Sequence, residues 1–159
     1  MEIRSHIEPG DIGYIIYLHG LLYAREYRLD HTFESFVAER IGQFGQQYDA
    51  SKDYFAVAEI DDRIVGSIMI QGLPDNTGML RFFLVHPDAR GRGLGKEFMT
   101  RALEFCRERG FDKIFLSTIS ELKAAIHLYE QAGFECTERK THEIWGALRT
   151  EERYDLVLK

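Results

Sequence analysis

A mixed α/β domain, with a central, mostly antiparallel sheet flanked by helices, is the architecture expected for this chain. Two observations carry that expectation. Apolar residues recur at helical spacing up to about Phe44, fall into short strand-like runs between Tyr54 and Val85, and then alternate between the two patterns. The breaks between these stretches are turn residues (Pro9-Gly10, Asp61-Asp62, Pro74-Asp75-Asn76) rather than a linker, and no internal repeat is visible. With 159 residues, 45% apolar and 29% charged, the chain is long enough to bury one core and reads as a single domain over residues 1–159.

The elements follow in order. Glu2 to His6 is a short strand candidate, closed by Pro9 and Gly10. From Asp11 a helical period runs through Ile12, Ile15, Ile16, Leu22 and Tyr23, although Gly20 weakens it by about 1 kcal/mol. Asp30 or Thr32 can cap the next helix, whose Phe33, Phe36, Val37, Ile41 and Phe44 define a face toward a core. Tyr54 to Ile60 and Arg63 to Gly72 read as strands around an Asp-Asp turn. Met79 to Val85 is nearly all apolar, as a strand buried on both faces would be. A helix is expected from Gly93 to Arg109, with Leu94, Phe98, Ala102, Phe105 and Cys106 on one side and Gly110 as its stop. Lys113 to Ser117 is a strand. Ser120 is an N-cap candidate for a helix ending near Ala132, and Gly133 follows it. Phe134 to Ile144 and Arg153 to Leu158 complete the order βααβββαβαββ.

Composition excludes several classes. The net charge of −6 disfavours non-specific binding to nucleic acid or anionic membrane. No apolar run approaches the roughly 20 residues of a membrane span, and the N-terminus lacks a signal-peptide pattern, so a cytoplasmic protein is expected. Cys106 and Cys136 stand far apart with no metal-binding spacing, so no metal site is expected and a reduced compartment is the simplest reading.

The chemistry is concentrated in His86-Pro87-Asp88-Ala89-Arg90-Gly91-Arg92-Gly93-Leu94-Gly95-Lys96. Glycines allow close backbone approach, and the first N–H groups of a helix lack internal partners and face the positive end of its dipole. Together they form a cradle for phosphate, and Arg90, Arg92 and Lys96 add positive charge. The loop is neither a G-x-G-x-x-G fingerprint nor a P-loop, since its glycines stand at 91, 93 and 95 and Glu97 follows Lys96. Glycine spacing alone fits a flexible basic turn as well as it fits a phosphate site.

Arg90-Gly91-Arg92-Gly93-Leu94-Gly95 resembles the R/Q-x-x-G-x-G/A signature of the GCN5-related N-acetyltransferase (GNAT) superfamily, and it follows a V-x-P strand end as in that family. Ala125 to Phe134 (AIHLYEQAGF) is similar to the family's A-x-x-L-Y-E-x-x-G-F segment. The element order resembles the GNAT fold over essentially the whole chain. Gly10 to Tyr27 further resembles the acetyltransferase domain often fused behind a MarR-type winged-helix regulator, although no such regulator is expected within these 159 residues.

The resemblance implies acetyl-CoA as cosubstrate. It implies that backbone N–H groups of Arg90, Gly91, Arg92, Gly93, Leu94, Gly95 and Lys96 hold the pyrophosphate. Phe83, Leu84 and Val85 would pair with the pantetheine arm, and an N–H near Leu84 or Val85 would polarise the thioester carbonyl. Tyr129 matches the family tyrosine near the cofactor sulfur and would act as general acid to the departing thiolate. Leu122, Ala125, Ile126 and Tyr129 share a helical face, so the same tyrosine also suits a core. The family often has asparagine where this chain has Leu122, and that contact is not carried over. A neutral amine would attack directly. His19, Tyr23 and Glu26 are candidates for the base, each also readable as an ordinary helix face.

The expected activity is thus acetyl transfer to a primary amine, on a small molecule or a protein. The alternative is a non-catalytic acyl-CoA-binding regulatory module. A nucleic-acid regulator is suggested only by the usual fusion partner. The family often forms homodimers through its last strands, an assembly that the resemblance allows for here.

Overall fold

The computed structural model describes residues 1–159. Its elements are β1 (Glu2–Arg4), α1 (Asp11–Tyr27), α2 (His31–Gln47), β2 (Tyr54–Ile60), β3 (Arg63–Leu73), β4 (Thr77–Val85), α3 (Leu94–Glu108), β5 (Lys113–Ile119), α4 (Lys123–Gln131), β6 (Glu135–Ile144) and β7 (Ala147–Val157). This is the expected order. The strands form one sheet, β1-β2-β3-β4-β5-β7-β6, antiparallel everywhere except between β4 and β5. No helix is long and apolar enough to cross a membrane.

Period-two alternation splits the core over the two faces of the sheet. Phe55 and Val57 of β2 pack with Ile15, Leu18 and Leu22 of α1 and with Val37, Ile41 and Phe44 of α2. Ala56 and Ala58, between them, face Phe98, Ala102 and Cys106 of α3. The stripe read for α3 is buried throughout and that of α2 except for half-buried Phe36, while in α1 Ile15 and Leu22 are buried with Leu18, and Ile12, Ile16 and Tyr23 are half-buried. Asp30 caps α2, its carboxylate accepting the Thr32 N–H at 2.9 Å. Asp61 and Asp62 both adopt positive φ (50° and 60°), the hairpin turn whose twist matches its strands.

Three expectations differ from the structure. Ser120 does not cap α4: its N–H donates to the Thr150 carbonyl at 3.0 Å, continuing the pairing of β5 with β7, and the helix starts only at Lys123. The last strand starts at Ala147 rather than Arg153, behind a Trp145-Gly146 turn with positive φ at both residues. Finally, β4 is not buried on both faces. It pairs with β5 only through Thr77, Gly78 and Met79, so Arg81, Phe82 and Phe83 stay half-buried beside an open seam.

Candidate active site

The seam begins where β4 and β5 part. β5 stays with β7 as far as Ile119, while β4 stays with β3 as far as Val85. A bulge in β4 sets Phe82 and Phe83 opposite the single residue Ile68, and Phe82 takes a φ of 53°. The Ser67 hydroxyl fixes the bulge by donating to the Phe82 carbonyl at 2.7 Å. The His86 N–H donates to Val65 of β3 at 2.8 Å. By alternation the amide of Val85 turns the other way, into the seam, and that of Leu84 faces β3. Between the two N–H groups considered from sequence, only Val85 presents itself to a ligand.

At the end of β4 the chain turns through Pro87–Ala89 and enters α3. No backbone or side-chain acceptor in the protein takes the N–H groups of Gly91 through Lys96. The Arg90 N–H is engaged with the Pro87 carbonyl at 3.3 Å, so the free run starts one residue later than expected. Gly91 and Gly93 both have φ of 77°, with nothing within 4 Å of where a Cβ would stand. The loop is thus uncrowded at both glycines and its N–H groups are without partners, as an anion site would require. Gly95 has a different reason to be glycine: a Cβ there would come within 2.8 Å of Leu128 on α4. The loop lines a cleft of about 380 Å³ together with Phe83, Leu84, Val85, Glu26 and Leu128. Lys96 lines it too, whereas Arg92 lies outside its walls and is exposed.

Arg90 also lines this cleft, but its side chain is occupied. It donates to both carboxylate oxygens of Glu26, at 2.8 and 2.7 Å, and to the Val85 carbonyl at 3.2 Å. Glu26 is therefore an ion-pair partner on the wall of this cleft rather than an isolated base.

A second cavity, of about 150 Å³, lies on the α1–α2 side of the seam. Tyr23, Phe83 and Leu122 line both spaces. Leu122 is part of this apolar partition. Tyr129 opens onto the second cavity. It is 5% exposed, and its hydroxyl makes no hydrogen bond in the protein yet is not sealed from the cavity. Burial pushes this phenol well above its ordinary range, so it stays protonated and suits an acid rather than a base.

The three base candidates differ in their surroundings, although the His19 and Tyr23 rings stand only 5.5 Å apart. The Tyr23 hydroxyl donates to the Phe83 carbonyl at 3.3 Å, and burial raises it, so it is a poor proton acceptor. His19 lines the second cavity and is 3% exposed. Its Nδ1 lies 2.9 Å from the Ile15 carbonyl, which makes Nδ1 the protonated nitrogen, and Nε2 has no partner. Burial lowers its pKa to about 4, so the ring is neutral at physiological pH. The two thiols stand apart from this chemistry: Cys106 is buried with its pKa pushed up to about 12, and Cys136 is half-buried in β6.

Sequence reasoning missed the walls of the second cavity. Phe33, Phe36, Arg81 and Trp145 come from α2, β4 and the β6–β7 turn, and no motif joins them. One signal was present: Arg81 is the lone charge inside the apolar run MLRFFLV.

Residues 21–134 match the model of the acetyltransferase (GNAT) family. An acetyltransferase of Pectobacterium atrosepticum is 36% identical over 86 residues, which is 54% of this chain and 60% of that protein. The chain thus matches well under two thirds of that relative's length. A Streptococcus agalactiae acetyltransferase structure superposes with a TM-score of 0.80 at 26% identity, over 99% of this chain and 98% of the other. Salmonella typhimurium yncA, solved with acetyl-CoA as its cofactor, gives a TM-score of 0.75 at 18% identity, over 100% and 94% of the two chains, a likeness of fold.

Proposed function

The chain belongs to the acetyltransferase (GNAT) family, and we propose that it is an acetyl-CoA-dependent N-acetyltransferase that moves an acetyl group to a primary amine by direct attack in a ternary complex. The observation that carries this reading is the run of unpartnered N–H groups from Gly91 to Lys96, beside a strand edge that leads to Tyr129. A phosphate cradle, a free β-edge and a protonated phenol follow one another along a single seam.

In this reading the N–H groups of Gly91 to Lys96 bind the pyrophosphate, with Lys96 adding charge from the cleft wall. Phe83, Leu84 and Val85 line the cleft along which the pantetheine arm runs. Acetyl-CoA supplies a thioester whose acetyl group is already activated. The Val85 N–H holds the developing negative charge on the carbonyl oxygen. The neutral amine approaches from the aromatic cavity, and the partition of Tyr23, Phe83 and Leu122 limits water at the meeting point. Tyr129 then donates its proton to the leaving sulfur, and the proton shed by the attacking nitrogen as the amide forms restores the phenol, so that the amine's proton ends on the thiol. The same reading takes residues 1–159 as one acetyltransferase domain, acting in the cytoplasm on a small-molecule or protein amine.

Calorimetric titration with acetyl-CoA and CoA, followed by thiol release across a panel of primary amines, tests this function. Saturable binding of both nucleotides and amine-dependent thiol release are expected. No binding would refute the cradle. Binding without release for any amine would convert the protein into an acyl-CoA-binding module.

A further inference from the structure

The half-buried Arg81 on the acceptor side is not satisfied by the protein. It lines the 150 Å³ cavity, and its only hydrogen bond goes to a neutral group, the Gln71 side-chain oxygen, at 3.1 Å. Its guanidinium stacks 5.1 Å from the Phe82 ring centroid. No carboxylate lies within ion-pair distance. The other nearby charge is like in sign: Arg40 on α2, which stacks on Phe36 and pairs with its own neighbour Glu39. Glu151, the one acid lining the cavity, is paired with His142. A guanidinium partly withdrawn from water without a counter-charge is disfavoured, and a bound anion would relieve it. Here most of its donor fork is free, and it adjoins the space where an acceptor would sit.

The rest of that cavity is apolar. Phe33, Phe36, Phe82 and Trp145 supply aromatic walls. A volume near 150 Å³ lined in this way holds a group about the size of benzene. The site therefore offers an anion-binding fork and an aromatic slot, close to the Tyr129 phenol and to the unpartnered Nε2 of His19.

We propose that the acceptor is an amino acid with an apolar or aromatic side chain, its carboxylate held by Arg81 and its side chain by the aromatic walls. This rests on the acetyltransferase reading and narrows its acceptor from amines in general to amines that carry a carboxylate. Arg81 is then a specificity-determining residue. Arginine suits the task because its planar fork matches a carboxylate in two-pronged geometry.

The test compares L-phenylalanine with L-phenylalaninamide, which differ in covalent structure only at the carboxylate; because the amide's α-amine is less basic, rates are compared per neutral amine. Trp145 is the only tryptophan of the chain and lines the cavity, so its emission reports acceptor binding without turnover. Binding is followed in the presence of CoA, and thiol release from acetyl-CoA is measured in parallel. The acid is expected to bind, and to react by kcat/KM, at least roughly tenfold better than the amide. In Arg81→Gln the ratio should fall to about one, with acetyl-CoA affinity unchanged as proof that the fold survives. Arg81→Lys should restore part of the preference. The proposal is overturned if the amide does as well as the acid, if the preference survives Arg81→Gln, or if a chain that binds acetyl-CoA binds neither compound. A chain that fails to bind acetyl-CoA refutes the acetyltransferase reading, and the Trp145 titration then still decides the carboxylate site by itself.

Discussion

Glu26 and Arg90 line the same cleft and form a two-pronged ion pair, with N···O distances of 2.8 and 2.7 Å. Their side chains are 25% and 48% exposed, so the pair adds little to stability. Its position matters more, because it sets a carboxylate beside a cradle built for anions. Glu26→Gln keeps a hydrogen-bonding group there and removes the charge. Acetyl-CoA should bind more tightly by about 1 kcal/mol, roughly fivefold, at low ionic strength, and the gain should shrink as salt is added. Calorimetry at two salt concentrations measures this. A weaker affinity would show that the pair chiefly holds the loop in shape.

Gly93 tests the cradle most directly. Its φ is 77°, and open space surrounds the position of a Cβ. Gly93→Asp should therefore fold, at a backbone cost of roughly 1 kcal/mol, since aspartate visits the left-handed region more readily than most residues. Its carboxylate would stand where the pyrophosphate belongs, and acetyl-CoA affinity should fall at least about a hundredfold. Gly93→Asn carries the same backbone cost without the charge and should lose much less. Unchanged affinity in the aspartate variant would remove the loop from cofactor binding.

Tyr129→Phe deletes one hydroxyl that makes no hydrogen bond within the protein, so stability and acetyl-CoA affinity should hold. The rate should fall about a hundredfold near neutral pH, within the usual range for a lost general acid. The deficit should narrow as pH rises and a departing thiolate needs its proton less. Steady-state thiol release over a pH series shows both effects. A variant with full turnover would return Tyr129 to the core, where Phe83, Phe134 and Tyr154 already surround its ring at 6.0–6.2 Å.

The parts of this site differ in how far the sequence discloses them. The cradle is local: glycines with positive φ, a helix start and flanking cations all lie between Arg90 and Lys96. The stripes of α2 and α3 are legible because one face of each packs on a sheet. The start of β7 is not: its partner β6, read as a strand from the sequence, is an edge strand exposed along most of its length. Its cohesion comes from cross-strand pairs such as Arg139 with Glu152 and Thr141 with Thr150, which leave no apolar period to read. Trp145 can hold positive φ because Phe33 and Phe36 pack against its ring and the Asp30 N–H donates to its carbonyl. The aromatic cavity is assembled from distant segments in the same way. Its residues are visible in the sequence, but their meeting is a property of the fold.

His19 predicts a pH dependence of stability. Its pKa is lowered to about 4 by burial, below the 6.5 of an exposed histidine. Between those values the unfolded chain binds a proton that the folded chain refuses, so stability is complete above pH 6.5 and declines as pH falls toward 4. The loss over this window is roughly 3 kcal/mol. His19→Leu removes both the titration and the unpartnered Nε2, and should flatten this limb of the stability curve. Urea midpoints from pH 7 to pH 4 measure it. An unchanged slope would assign the acid sensitivity to other groups.

Arg149 predicts a loss of stability coupled to the acceptor side alone. Its side chain is 4% exposed and donates to Glu121 at 2.5 Å, to the carbonyls of Tyr27 and Arg28 at the end of α1, and to those of Ile144 and Trp145 at the hairpin turn. One planar fork thus ties together three segments that border the aromatic cavity, and an ammonium cannot reach them all. Arg149→Lys should cost about 2–4 kcal/mol in urea denaturation, in the range for a broken buried pair. Under conditions where the variant is still folded, KM for the amine should rise while acetyl-CoA affinity stays the same, because the cradle at α3 shares none of these bonds. An equal loss for both substrates would mean that the two halves of the seam are mechanically coupled, with the partition of Tyr23, Phe83 and Leu122 as the element that links them.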